Sequence, residues 1–157
     1  MNPLVELELS KYYAWSERST YDLFKCPGVY AINISDKDDL AGQTLNWDDI
    51  DYIGRSVDSL KTRLNKFNYA IQHGIRHSAG NKIFKRYEND ATWRETHKLY
   101  IYVAMMGIEC GNYDTPLDFY RIRGIASYLE FEAFAQCFEV TGKLPQYNKT
   151  KLPKRKK

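Results

Sequence analysis

Two apolar runs, GVYAINI at 28–34 and IDYIG at 50–54, lack helical spacing and are rich in residues that favour strands. Pro27-Gly28 is a turn that launches the first. Between them SDKDDLAGQTLNWDD is a polar loop, long for a hairpin. After the second run the period changes. Val57, Leu60, Leu64, Phe67 and Ile71 recur at three and four residues and form one helical stripe. Ser56 is placed to cap this helix, with Asp58 in its first turn and Gly74 at its end. A short second helix is expected over 81–87, and KLYIYVAMM at 98–106 reads as a buried third strand. A loop over 107–116 leads to a last helix over about 117–140, stopped by Gly142 with Pro145 beyond. Its buried stripe is expected to be Ala126, Leu129, Ala133, Phe134, Cys137 and Phe138. The order strand, strand, helix, helix, strand, helix predicts an α+β fold: a small three-stranded, mainly antiparallel sheet flanked by helices.

The chain of 157 residues fits one domain, and a chain of that size buries roughly 70% of its unfolded surface without staples. That domain is placed at 1–148, with an N-terminal extension over about 1–25, and residues 149–157 form a basic tail expected to be flexible. No apolar run approaches the roughly 20 residues of a membrane span, and the N-terminus lacks the pattern of a signal peptide. Cys26, Cys110 and Cys137 are far apart and odd in number, which fits a reducing, cytoplasmic compartment. Lys and Arg number 23 against 20 Asp and Glu, too even a balance to indicate nucleic acid by itself. The distribution changes the picture: acids gather in SDKDDL and WDDID, bases between Lys61 and Arg86 and in the tail.

Candidate chemistry lies where these elements meet. Tyr30 and Tyr52 sit on neighbouring strands, each close to a glycine. Alone they read as a plain hairpin with aromatics filling one face. Glu130 lies at the margin of the last helix's apolar stripe, whereas Glu132 faces Gln136 and Glu139. A carboxylate at such a margin either reaches water or is paired or metal-bound. Arg63 flanks Leu64 and reads either as a surface arginine or as a group beside the sheet.

Taken together, Gly28-Val29-Tyr30, Tyr52-Ile53-Gly54, Arg63, Glu130 and Asn148 in LPQYN resemble the motif set of the GIY-YIG nuclease family, in order and across residues 26–148. Three features depart from that pattern: the longer loop between the tyrosine strands, the longer stretch between Glu130 and PQYN, and Phe67 where many members carry a histidine or tyrosine. The resemblance implies a metal-dependent endonuclease that hydrolyses DNA phosphodiester bonds, of a stand-alone restriction, phage or mobile-element type. Glu130 would hold one Mg2+, with Mn2+ able to replace it. Arg63 would grip a non-bridging phosphate oxygen. Tyr30 is assigned as base or water-positioning group and Tyr52 as phosphate or water partner, with the two roles exchangeable. Asn148 would orient these groups, and Gly28 and Gly54 would allow close backbone approach.

DNA contact must come from the same domain. Lys61, Lys66, Arg76, Lys82, Lys85, Arg86 and the tail are candidate phosphate ligands, and His77 is a substrate-side candidate. The same bases read equally as a solvated helix face. Cutting both strands would call for a homodimer, though no interface is legible. The alternative is a catalytically silent nucleic-acid-binding module that keeps the fold, a reading supported by Phe67.

Overall fold

A computed structural model describes residues 5–36, 39–111 and 115–148. The basic tail at 149–157 lies outside the described residues. The chain is α+β, with strands β1 (Tyr13–Ala14), β2 (Gly28–Ile34), β3 (Tyr52–Ser56) and β4 (Ile101–Gly107). The helices are α1 (Leu60–His73), α2 (Ser78–Tyr87), α3 (Ala91–Thr96) and α4 (Pro116–Thr141). The sheet order is β1-β4-β2-β3, and every pairing is antiparallel.

The sheet therefore has four strands instead of three. The added strand pairs Tyr13 with Val103 and Ala14 with Tyr102. The expected extension is thus built into the fold. Tyr12, Trp15 and Phe24 are buried, and Trp15 Nε1 donates to Asn68 Oδ1 of α1 at 2.9 Å. A two-residue strand leaves no alternation for a sequence reading to detect.

Both faces of the sheet are covered, so its central strands are apolar almost throughout. Tyr30, Ile32, Tyr52, Val103 and Met105 face α1, α2 and the N-terminal segment. Val29, Ala31, Ile53 and Ala104 face α4 through Leu129, Ala133 and Cys137. Phe134 is only half-buried and Phe138 is 42% exposed, so the inner stripe of α4 is narrower than expected. Phe138 falls on the side of the helix turned away from the sheet, and Phe134 at the margin of the buried side.

Local boundaries follow their caps. Ser59, not Ser56, accepts from Thr62 N and starts α1, while Ser56 closes β3 and donates to the Ser59 carbonyl at 2.6 Å. Val57 and Asp58 thus precede the helix. Left-handed Gly74 and Gly142 end α1 and α4 as expected. α2 begins three residues early because its cap is His77, a residue outside the usual capping set. α3, capped by Asp90, is an addition, and a 3-10 turn at His97–Leu99 delays the next strand to Ile101.

Gly28 pairs with Gly107 in register, so Cys26 and Cys110 lie just beyond adjacent strand ends. They form a disulfide with Cα atoms 5.7 Å apart, and Cys137 is free and buried. The expectation of reduced cysteines is corrected, and with it goes the argument for a reducing compartment. Among the described residues no helix is long and apolar enough to cross a membrane.

β3 is an edge strand, yet its outer edge is not bare. Tyr147 N donates to the Asp51 carbonyl at 3.1 Å. Ile53 N donates to Asn148 Oδ1 at 2.9 Å, and Asn148 Nδ2 donates to the Ile53 carbonyl at 2.7 Å. The Asn148 amide stands in for a neighbouring peptide. Asn148→Ala removes both bonds and is expected to cost about 2 kcal/mol in urea unfolding. A loss below about 0.5 kcal/mol would show that water replaces the amide without penalty.

Candidate active site

The edge position of β3 puts its two faces within reach of helices from both layers. Tyr52 points to the α1 side, whereas Arg55 points to the α4 side, as strand alternation requires. Tyr30 lies across from Gly54 in register, with its ring centroid 6.0 Å from that of Tyr52. A Cβ on Gly54 would stand 2.6 Å from the Tyr30 hydroxyl and 2.8 Å from Tyr52 Cε1. Gly54 thus makes room for the two phenols. The glycine of the first motif serves β2–β4 pairing, since a Cβ on Gly28 would collide with the Met106 carbonyl.

Arg63, on α1, interacts with both phenol hydroxyls. Its Nε is buried without a hydrogen-bond partner, and among the described residues no carboxylate forms a salt bridge with it. From the other layer, Glu130 of α4 accepts from Arg55 Nη1 at 2.9 Å, with the carboxylate side chain 16% exposed. Burial raises the Glu130 carboxyl above its ordinary value, while Arg55 and then Arg63 pull it back.

A groove of about 510 Å³ joins these groups, lined in part by Tyr52, Arg55, Arg63, Lys66, Arg123 and Glu130. Its lining holds four cationic side chains against two carboxylates, Asp58 and Glu130, so it suits an anion. A recess of about 340 Å³ shares Tyr52 and Glu130 with it and includes Asn148. Tyr52 and Glu130 therefore line both hollows, with Arg63 in the groove and Asn148 in the recess beside it. Tyr30 lines neither: it has no exposed surface and lies beneath Tyr52.

His77 corrects the sequence reading. It is only 3% exposed and cannot touch DNA from the surface. Its Nδ1 accepts from Gly80 N at 3.3 Å, capping α2, and its Nε2 lies 3.3 Å from the Tyr30 hydroxyl. Phe67 and Tyr52 pack against the ring, with centroids 5.1 and 5.5 Å away. Burial, reinforced by Arg63, lowers the His77 pKa to about 3, so the ring is neutral at physiological pH. With Nδ1 accepting, the proton sits on Nε2 and is donated to Tyr30. An imidazole thus reaches the cluster from the cap of α2, packed against Phe67.

Burial raises the pKa of both phenols, and that of Tyr30 well above the ordinary value. The neighbouring phenol hydroxyl raises Tyr30 further and lowers Tyr52. Arg63 favours ionisation of each. The polar cluster thus runs from His77 through Tyr30 to the neighbouring Tyr52, and Tyr52 is the member that meets the groove.

The remaining candidates are dispersed. Lys61 and Lys66 are exposed on α1, Lys85 and Arg86 are exposed on α2, and Lys82 is half-buried there. Arg76 is exposed, with its guanidinium 4.4 Å from the Tyr69 ring centroid. Arg86 donates to Gln146 and to the Tyr147 hydroxyl, both at 3.0 Å. Only Lys66 among these bases lines the groove. The sequence reading missed Arg55 and Arg123. Alternation from Ile53 places Arg55 on the α4 side, and Arg123 lies two turns before Glu130.

Among the described residues no three His, Cys, Asp or Glu side chains form a metal-binding cluster. Glu130 offers a single carboxylate at the joint of groove and recess, paired with Arg55, a hard-oxygen donor of the kind a largely hydrated Mg2+ accepts. It does not form an all-protein cage.

Comparison of the chain with protein-family models, with curated proteins and with solved structures returns no significant match.

Two outcomes test this arrangement. The folded-state pKa of His77, about 3, lies below the ordinary 6.5, so between these values the unfolded chain holds a proton that the folded chain lacks. The associated stability is complete above the ordinary value and falls with pH toward 3, by up to about 1.4 kcal/mol per pH unit. Against wild type, His77→Gln should flatten the unfolding free energy by that slope between pH 6 and pH 4; parallel curves would contradict a buried neutral ring. Gly54→Ala should displace both phenols and destabilise the fold by about 1–3 kcal/mol. Unchanged tyrosine fluorescence and stability in that variant would contradict the packing.

Proposed function

We propose that this chain is a metal-dependent endonuclease of the GIY-YIG type, hydrolysing DNA phosphodiester bonds. The observation that carries the reading is Arg63. A half-buried guanidinium set beside two phenols, with no carboxylate ion pair among the described residues, calls for an external anion. The groove's excess of cations and the nearby carboxylate of Glu130 fit a phosphodiester better than a free carboxylate ligand.

Arg63 grips a non-bridging phosphate oxygen, and Lys66 and Arg123 hold the flanking backbone. Tyr52 takes the proton of the attacking water, which it can do only as a phenolate. Burial opposes that form, whereas Arg63 and the neighbouring Tyr30 hydroxyl favour it. The two tyrosine roles are thereby exchanged relative to the first assignment: Tyr30 positions and Tyr52 meets substrate. His77 holds Tyr30 in place beside Tyr52, and Asn148 fixes the strand that carries Tyr52. As water attacks phosphorus, the bond to the 3′ oxygen breaks. Mg2+ or Mn2+ held by Glu130 would supply neutralising charge at the phosphate and at the departing oxygen. Arg55 orients the Glu130 carboxylate at the groove.

The Arg55–Glu130 ion pair also favours a second reading. With its carboxylate already neutralised, the chain would bind nucleic acid through the groove without cutting it. Incubation with plasmid and Mg2+, with and without EDTA, separates the two. Cleavage should depend on the metal. Glu130→Ala should lower the rate by roughly a hundredfold or more with DNA affinity retained, and Glu132→Ala should cut almost normally. Tyr52→Phe should cost more than Tyr30→Phe. Binding without metal-dependent cleavage by the wild type would establish the silent module instead.

A further inference from the structure

We infer that the outer face of α4 is a self-association surface that packs antiparallel against α4 of a second copy of this chain. The helix is apolar on two opposite sides. Ala126, Leu129, Ala133 and Cys137 are buried against the sheet. On the opposite side Tyr120 is 69% exposed, Phe131 60%, Leu117 55%, and Tyr128 and Phe138 both 42%. A helix that is apolar all round belongs in an interior, yet this one covers its sheet with one side only.

The spacing says what the other side is built for. Leu117 and Tyr120, then Tyr128 and Phe131, then Phe138 fall on one line, and exposed Gly124 and Ala135 fill its gaps. Every interval is three or four residues, the seam pattern of one helix packed on another. Gly124 is the telling member. Mid-helix glycine costs about 1 kcal/mol relative to alanine. Among the described residues nothing requires it, because a Cβ there would meet no atom within 4 Å. A second helix backbone approaching at that point supplies the reason.

Charge selects the occupant. Arg121 flanks the line in the N-terminal half of α4, and Glu132 and Glu139 flank it on the same side in the C-terminal half. A two-fold axis near Tyr128 sets Arg121 of each copy toward the acidic half of the other, whereas a parallel pair would put this flank on opposite sides of the seam and leave Arg121 without that partner. The line itself carries no cation, which argues against nucleic acid. The seam from 117 to 138 is about 32 Å long at 1.5 Å per residue. In sequence, the tail at 149–157 has Leu152 as its one large apolar residue, too few to cover it.

The inference does not depend on the nuclease reading, and its test uses no activity. Sedimentation of the full chain over a range of concentrations should show a reversible dimer. Tyr128→Glu combined with Phe131→Glu should weaken association by more than about tenfold. Arg121→Glu should also weaken it, and mixing that variant with Glu132→Arg/Glu139→Arg should restore a mixed dimer. Circular dichroism should leave helix content unchanged in each variant. A wild type that stays monomeric overturns the inference, as does a dimer indifferent to all these substitutions. The charge variants lie at the surface, so they keep the test decisive if the double glutamate variant fails to fold.

Discussion

The hydroxyl of Tyr30 sets the terms for its surroundings. It sits on the central strand of a sheet covered on both faces, with no access to water. A phenol in that position must find partners inside the protein or destabilise the fold. Its partners come from three elements: Tyr52 from β3, Arg63 from α1 and His77 from the cap of α2. Each is also structural. His77 fixes the start of α2, Phe67 of α1 packs on its ring, and Gly80 lets α2 lie close to Ala70 of α1. The packing of the helical layer and the orientation of the polar cluster are therefore one problem with one solution.

The cluster opens to solvent only where the sheet ends. In the middle of the sheet the two layers are separated by β2 and β4. At β3 that partition stops, so α1 and α4 contribute to the same groove from opposite sides. Alternation along five residues does the rest: Tyr52 reaches one layer and Arg55 the other. A guanidinium from above and a carboxylate from below can then face one bound group.

Much of this was legible because period and punctuation agree. The strands at 28–34 and 52–56, the α1 stripe, and the stops at Gly74 and Gly142 follow from spacing and glycine chemistry. Ser56 and Ser59 compete for the same cap, and spacing alone cannot choose between them. A histidine cap carries almost no statistical signal, so both the start of α2 and the inward turn of His77 were hidden. The disulfide was hidden for a different reason: it joins residues 84 apart, and only the register of β2 and β4 brings them together. The large aromatics of α4 misled in a third way. Phe138 has the composition of a core residue, but its position on the helix turns it to the side away from the sheet, where it is 42% exposed.

The guard on the β3 edge comes from the last described residue. An uncovered strand edge is a template on which another strand can pair. Here the peptide groups of Ile53 are masked by the amide of Asn148, from 95 positions further along the chain. During synthesis the edge therefore exists as soon as β3 pairs with β2, while its cover is still untranslated. Until residue 148 leaves the ribosome, nascent chains on one messenger expose the same sticky border to one another. The order of translation makes this edge a hazard of crowding on polysomes that the finished protein does not share.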